Sequence, residues 1–121
     1  MSRTRIKICG LTREVDVDDA VAAGADALGF VLYEQSARHV SLARAAELIA
    51  RMPPFVTPVL LFVNAPADAV QRAAQTVPQA LLQFHGDETP QACEAAGRPY
   101  LRAVRMGGPP DSFTGSAGVD L

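Results

Sequence analysis

Tryptophan is missing from this chain, and aromatic residues of all kinds make up 6% of its 121 positions. Basic clusters are missing as well, and the formal net charge is -2, so neither the phosphate-gripping stripe nor the stacking platform of a nucleic-acid binder is present. No apolar run approaches the roughly 20 residues that a bilayer crossing needs, which excludes a membrane-spanning helix. The opening Met1-Ser2-Arg3-Thr4-Arg5 leads into a strand-like run with no apolar segment behind it. No secretory signal is therefore expected, and a cytoplasmic, reducing location follows. Cysteine is scarce: Cys9 and Cys93 are the two, and the two histidines are isolated in sequence. Without metal-ligand spacing, neither a disulfide nor a structural zinc is expected, and no cofactor motif is present.

What remains is a hydrophobic fraction of 49% arranged with a clear rhythm. Short apolar runs alternate with alanine-rich amphipathic stretches, the pattern of repeated βα units around a parallel sheet. The first unit is a strand over Arg5 to Cys9 and a helix from about Glu14 to Ala23, closed by Gly24, where a left-handed backbone is least costly. The second is a strand over Ala27 to Tyr33 and a helix capped by Ser41 that stops before Pro53-Pro54. The third strand, Pro58 to Val63, is almost wholly apolar, as a strand covered on both faces should be, and Pro66 opens the helix after it. The fourth runs from Ala80 to His85, with Thr89 capping a helix that reaches about Ala96 and Pro90 in its first turn. A fifth strand is expected over Tyr100 to Met106. From Gly107 to Leu121 the pattern dissolves into glycine and proline, so residues 1–106 read as one α/β unit and 107–121 as an irregular tail.

The strand ends collect the polar side chains on one rim: Cys9, Tyr33 to Arg38, Asn64, His85 with Asp87, and Arg105. In parallel α/β folds that rim is where ligands bind. Each residue also has a plain structural use. Asn64 can complete the turn before Pro66, Asp87 and Glu88 suit a helix N-terminus, and His85, sharing a face with Gln83, can be a hydrogen-bonded core histidine. Cys9 is the most chemically distinctive member. If Arg5 to Cys9 is extended, Lys7 and Cys9 lie on the same face roughly 6 to 7 Å apart, near enough for the ammonium to favour a thiolate. Such a thiol could serve as base or nucleophile. A small buried hydrophobe is the alternative.

The runs Ile6-Lys7-Ile8-Cys9-Gly10-Leu11-Thr12, Gly29-Phe30-Val31-Leu32-Tyr33 with Ser36-Ala37-Arg38-His39-Val40-Ser41, Leu60-Leu61-Phe62-Val63-Asn64, and Leu82-Gln83-Phe84-His85-Gly86-Asp87-Glu88 resemble, in order and spacing, the successive signatures of the phosphoribosylanthranilate isomerases of tryptophan biosynthesis. The resemblance covers about Arg5 to Met106. It departs at Ala37, where the family usually has proline. It implies a (βα)8 barrel, of which 121 residues supply the first five strands or so, since a whole barrel takes at least about 200.

It also implies a cofactor-free Amadori rearrangement of phosphoribosylanthranilate. An acid protonates the ribose ring oxygen, the ring opens to an iminium, and a base then removes the C2′ proton. By resemblance Cys9 is that base, Arg38 grips the anthranilate carboxylate, and His85 borders the same pocket. The family's acid is an aspartate closing the sixth strand, and its phosphate sits on glycine-rich loops after strands seven and eight. Asp120 lacks an apolar strand leading into it, so the acid's role is not carried onto it. A chain of the first five units is expected to be inactive alone and to self-associate through open sheet edges.

Two other readings fit the length. One is a five-stranded flavodoxin-like domain such as a receiver, which needs an acidic pair, an aspartate and a lysine where this chain has Cys9-Gly10, Asn64 and Arg105. The other is a non-catalytic assembly partner.

Overall fold

The computed structural model describes residues 5–102. Five strands, β1 (Lys7–Cys9), β2 (Ala27–Val31), β3 (Thr57–Phe62), β4 (Leu81–Phe84) and β5 (Tyr100–Arg102), alternate with four helices, α1 (Glu14–Ala22), α2 (Leu42–Ile49), α3 (Ala67–Thr76) and α4 (Pro90–Glu94). All pairings are parallel and the spatial order is β1-β2-β3-β4-β5. This order removes the flavodoxin-like alternative, whose first strand lies inside the sheet. Each strand beside its predecessor is the arrangement of a barrel wall.

The expected elements are all present, with strands shorter or shifted. The first begins at Lys7 rather than Arg5, the second ends at Val31 rather than Tyr33, and the third, of the expected length, lies one residue earlier at Thr57–Phe62. The reason is pairing: β1 can be no longer than its register with Ala27 to Gly29. Gly24 has φ +93, as its place past α1 requires. Ser41 accepts the Arg44 N–H at 3.0 Å and Thr89 accepts the Ala92 N–H at 3.1 Å, so both expected caps form. Pro66 is the N-cap of α3 and Pro90 lies in the first turn of α4. The part of the expected fifth strand past Arg102, the tail over 107–121, Arg105 and Asp120 lie outside the described residues.

Register divides the sheet into two faces. On one, Leu28, Phe30, Leu60, Phe62, Leu82 and Phe84 meet Val17, Ala45, Leu48, Val70, Ala73 and Cys93 from the helices in a single core. The Phe62 and Phe84 rings stack at 5.7 Å, and Tyr100 meets Phe84 edge-on at 5.8 Å. Burial is why the strands read as unbroken apolar runs. Burial also pushes the Cys93 thiol above its ordinary pKa of 9.0.

The other face carries Cys9, Gly29, Val59 and Leu81 in one row and Val31, Leu61, Gln83 and Leu101 in the next. Lys7 stands one row before Cys9 on the same face, yet its Nζ donates to Gln83 Oε1. On a flat sheet these residues would be about 14 Å apart across the strands and about 13 Å along them. The sheet therefore curls, with this face on its concave side.

Surface charges serve the helix layer. Asp18 receives Arg51 Nη2 at 2.6 Å and Glu14 receives Arg44 Nη1 at 2.8 Å, so α1 is pinned to α2. The acidic cluster of α1 is thus mostly paired: Asp16 binds Arg13 at 2.9 Å. Among the described residues, no helix is long and apolar enough to cross a membrane, and no group of three or more His, Cys, Asp or Glu could hold a metal ion.

Candidate active site

Cys9 ends β1 and is half-buried on the concave face. Its neighbour on β2 is Gly29, and a Cβ built there would stand 2.7 Å from Cys9 Sγ. Glycine at that position makes the space in which the thiol sits. The next residue, Gly10, has φ +84, turning the chain out of the strand while its N–H donates to Gly29 O at 3.0 Å. A Cβ at Gly10 would lie 2.3 Å from Arg38 Cδ and 2.9 Å from Nη1. Two separate demands, the positive φ and the close approach, therefore select glycine here.

Arg38 comes from the loop between β2 and α2. Ser36 organises that loop: its Oγ accepts the Arg38 N–H at 3.0 Å, and its carbonyl accepts the His39 N–H at 3.1 Å. Val40 then donates to Val31 O at 2.9 Å, returning the chain to the sheet edge. These bonds set the loop with Ala37 in place of proline. The exposed Arg38 side chain rests across Gly10, the residue that follows Cys9 at the end of β1.

His85 follows β4, and its N–H donates to Phe62 O at 2.9 Å. By strand alternation it continues the face of Leu81 and Gln83, the face that also bears Cys9. Lys7, expected to act on Cys9, directs its ammonium along this face to Gln83. Asn64 and Asp87 belong to the framework of the rim. Asn64 adopts φ 52 and its Oδ1 accepts the Asp87 N–H at 2.9 Å.

Glu88 is the residue that sequence reasoning misread. It suits a helix N-terminus by charge, but its side chain turns back into the protein and is 8% exposed, the one charged residue among the buried described positions. Oε2 accepts the Asn64 N–H at 2.6 Å and Oε1 accepts the Gly86 N–H at 2.8 Å. The signal available in sequence was Gly86 two positions earlier, a glycine with no helix end to serve. A Cβ there would meet Asn64 Oδ1 at 2.7 Å.

With this geometry the comparisons with known proteins are decisive. The family described as N-(5'phosphoribosyl)anthranilate (PRA) isomerase matches residues 6–118. The chain belongs to this isomerase family. An N-(5'-phosphoribosyl)anthranilate isomerase of Leptothrix cholodnii is 70% identical over 105 residues, covering 87% of this chain and 48% of the relative. One from Bordetella pertussis is 60% identical over 116 residues, covering 95% and 53%. The crystal structure of the Thermus thermophilus phosphoribosyl anthranilate isomerase superposes with a TM-score of 0.80 at 38% identity, over 87% of this chain and 54% of that one. Another isomerase structure, in complex with reduced 1-(o-carboxyphenylamino)-1-deoxyribulose 5-phosphate, gives 0.80 at 36% identity over 84% and 54%. The chain thus spans about half the length of the isomerases it matches.

The two cysteines of this chain should separate cleanly under alkylation. Cys9 is half-buried on the concave face, whereas Cys93 is fully buried in α4 with a raised thiol pKa. Iodoacetamide followed by peptide mass spectrometry near pH 8 should modify Cys9 at least about tenfold faster, the thiolate being the reactive form. Faster modification of Cys93 would mean that the core is not packed as described.

Proposed function

We propose that this chain supplies the amino-terminal (βα) units of a phosphoribosylanthranilate isomerase, acting on N-(5-phosphoribosyl)anthranilate in tryptophan biosynthesis. The observation that carries the reading is the placement of the Arg38 side chain over Gly10, the residue that follows Cys9 at a strand's carboxyl end. A guanidinium suits the anthranilate carboxylate through paired N–H donors. A substrate held there by its aromatic end extends its ribose along the concave face, toward the thiol.

In the proposed reaction Cys9 acts as base. Once the ring oxygen has been protonated and the C1′–oxygen bond has opened, the iminium withdraws electrons from C2′. Cys9 Sγ, as thiolate, takes the C2′ proton, and the C–H electron pair forms the enolamine that tautomerises to the aminodeoxyribulose. His85, on the same face, borders the sugar. The resemblance puts the acid on an aspartate closing a sixth strand and the phosphate on later glycine-rich loops, outside the described residues. A cytoplasmic setting belongs to the same proposal.

One experiment addresses the binding half of this reading. The chain is co-expressed with the carboxyl-terminal units of the Leptothrix cholodnii relative, and binding of the reduced deoxyribulose phosphate, seen in a related isomerase, is followed by calorimetry. Arg38→Met should weaken that binding roughly 10- to 100-fold, the loss of one or two hydrogen bonds to a charged group. Unchanged affinity would place the carboxylate elsewhere.

A further inference from the structure

We propose that Glu88 is a positioning residue of the isomerase site: its carboxylate ties the loops after β3 and β4 together and so fixes the backbone from which His85 projects. The inference rests on the reading of this rim as the substrate site. Glu88 itself lies beneath the rim, 8% exposed, and touches no reacting group.

The geometry is that of a clamp. One carboxylate oxygen holds the Asn64 N–H of the β3 loop and the other holds the Gly86 N–H of the β4 loop. Asn64 Oδ1 returns a bond to the Asp87 N–H, and Arg102 Nη2 on β5 donates to Glu88 O at 2.8 Å. Burying a carboxylate is costly unless charge-assisted bonds offset it, and here both oxygens are used.

The consequence for His85 follows from peptide planarity. The His85 N–H belongs to the plane before its Cα, and that N–H is fixed on Phe62 O. The Gly86 N–H belongs to the plane after its Cα, and Glu88 fixes that one. Both soft backbone dihedrals of His85 are therefore set, one by the sheet and one by Glu88. Gly86 completes the device, because a Cβ there would stand 2.7 Å from Asn64 Oδ1 and push the two loops apart.

Glutamine at 88 is the informative change. It keeps the shape but offers one carbonyl oxygen and one NH2, so one of the two N–H groups loses its acceptor. In the enzyme assembled from this chain and the carboxyl-terminal units of the Leptothrix cholodnii relative, three quantities are measured for Glu88→Gln: amide hydrogen exchange at Asn64 and Gly86, the His85 ring-proton resonances, and kcat and KM. Protection at one of the two amides should fall roughly tenfold, the His85 resonances should shift, and kcat/KM should fall roughly tenfold, the size of one lost hydrogen bond to a charged group. Should Glu88→Gln fail to fold, Asn64→Gly, which relieves the positive φ while deleting the bond to Asp87, should shift His85 in the same sense with a smaller loss. Unchanged exchange overturns the clamp. Reduced protection with His85 resonances and kcat/KM at wild-type values overturns the positioning role. If the wild-type assembly has no isomerase activity, the reading of the site fails, while exchange and the His85 resonances still decide for or against the clamp.

Discussion

Replacing Cys9 by alanine in the assembled enzyme should abolish measurable turnover of phosphoribosylanthranilate. A positioned acid or base contributes about 10²- to 10⁴-fold, and the C2′ proton has no other thiol within the described residues to take it, since Cys93 is buried in the helix layer. The loss should fall on kcat, because Arg38, proposed to hold the carboxylate, is untouched. Cys9→Ser keeps the size and hydrogen-bonding capacity but raises the pKa of the base, so it should rescue little. Stability should change little in either variant, because Cys9 is half-buried and lies outside the core between sheet and helices. A kcat within tenfold of wild type in Cys9→Ala would remove the thiol from the mechanism.

Gly10→Ala should be nearly as damaging through a different route. At φ +84 an alanine costs about 1 to 2 kcal/mol of backbone strain. The new methyl would also meet Arg38 Cδ at 2.3 Å, so the arginine must leave its place over the strand end. Stability should fall by about the strain, and kcat/KM should fall roughly 10²-fold through KM, as for a guanidinium displaced from its carboxylate. Thermal melting combined with steady-state kinetics separates the two effects. A variant destabilised by that amount but with unchanged KM would show that Arg38 does not meet substrate where the structure places it.

Much of this architecture was legible in the residues because the signals were local. Ser41 and Thr89 announce helix starts, Gly24 an end, and the apolar runs the five strands, each set by chemistry within a few positions. Cys9 and Arg38 are legible as rim residues, but the space each occupies is not, since it depends on Gly29 giving way to the thiol and Gly10 to the arginine from another unit. The two misreadings have one cause. Sequence proximity pairs Lys7 with its nearest neighbour and Glu88 with the nearest helix end, while the curl of the sheet and the packing of two loops give them partners 76 and 24 positions away. Long charged side chains reach across a fold, and periodicity carries no record of where they end.

The central claim, that these residues form the base-bearing half of a phosphoribosylanthranilate isomerase, is tested most directly by anthranilate fluorescence. The chain and the carboxyl-terminal units of the Leptothrix cholodnii relative are assayed separately and mixed. No turnover is expected from the 121-residue chain alone, because the acid and the phosphate grip are expected from later units, whereas mixing should give turnover that is lost with Cys9→Ala. Turnover by the chain alone, or a well-folded mixture with none, would contradict it.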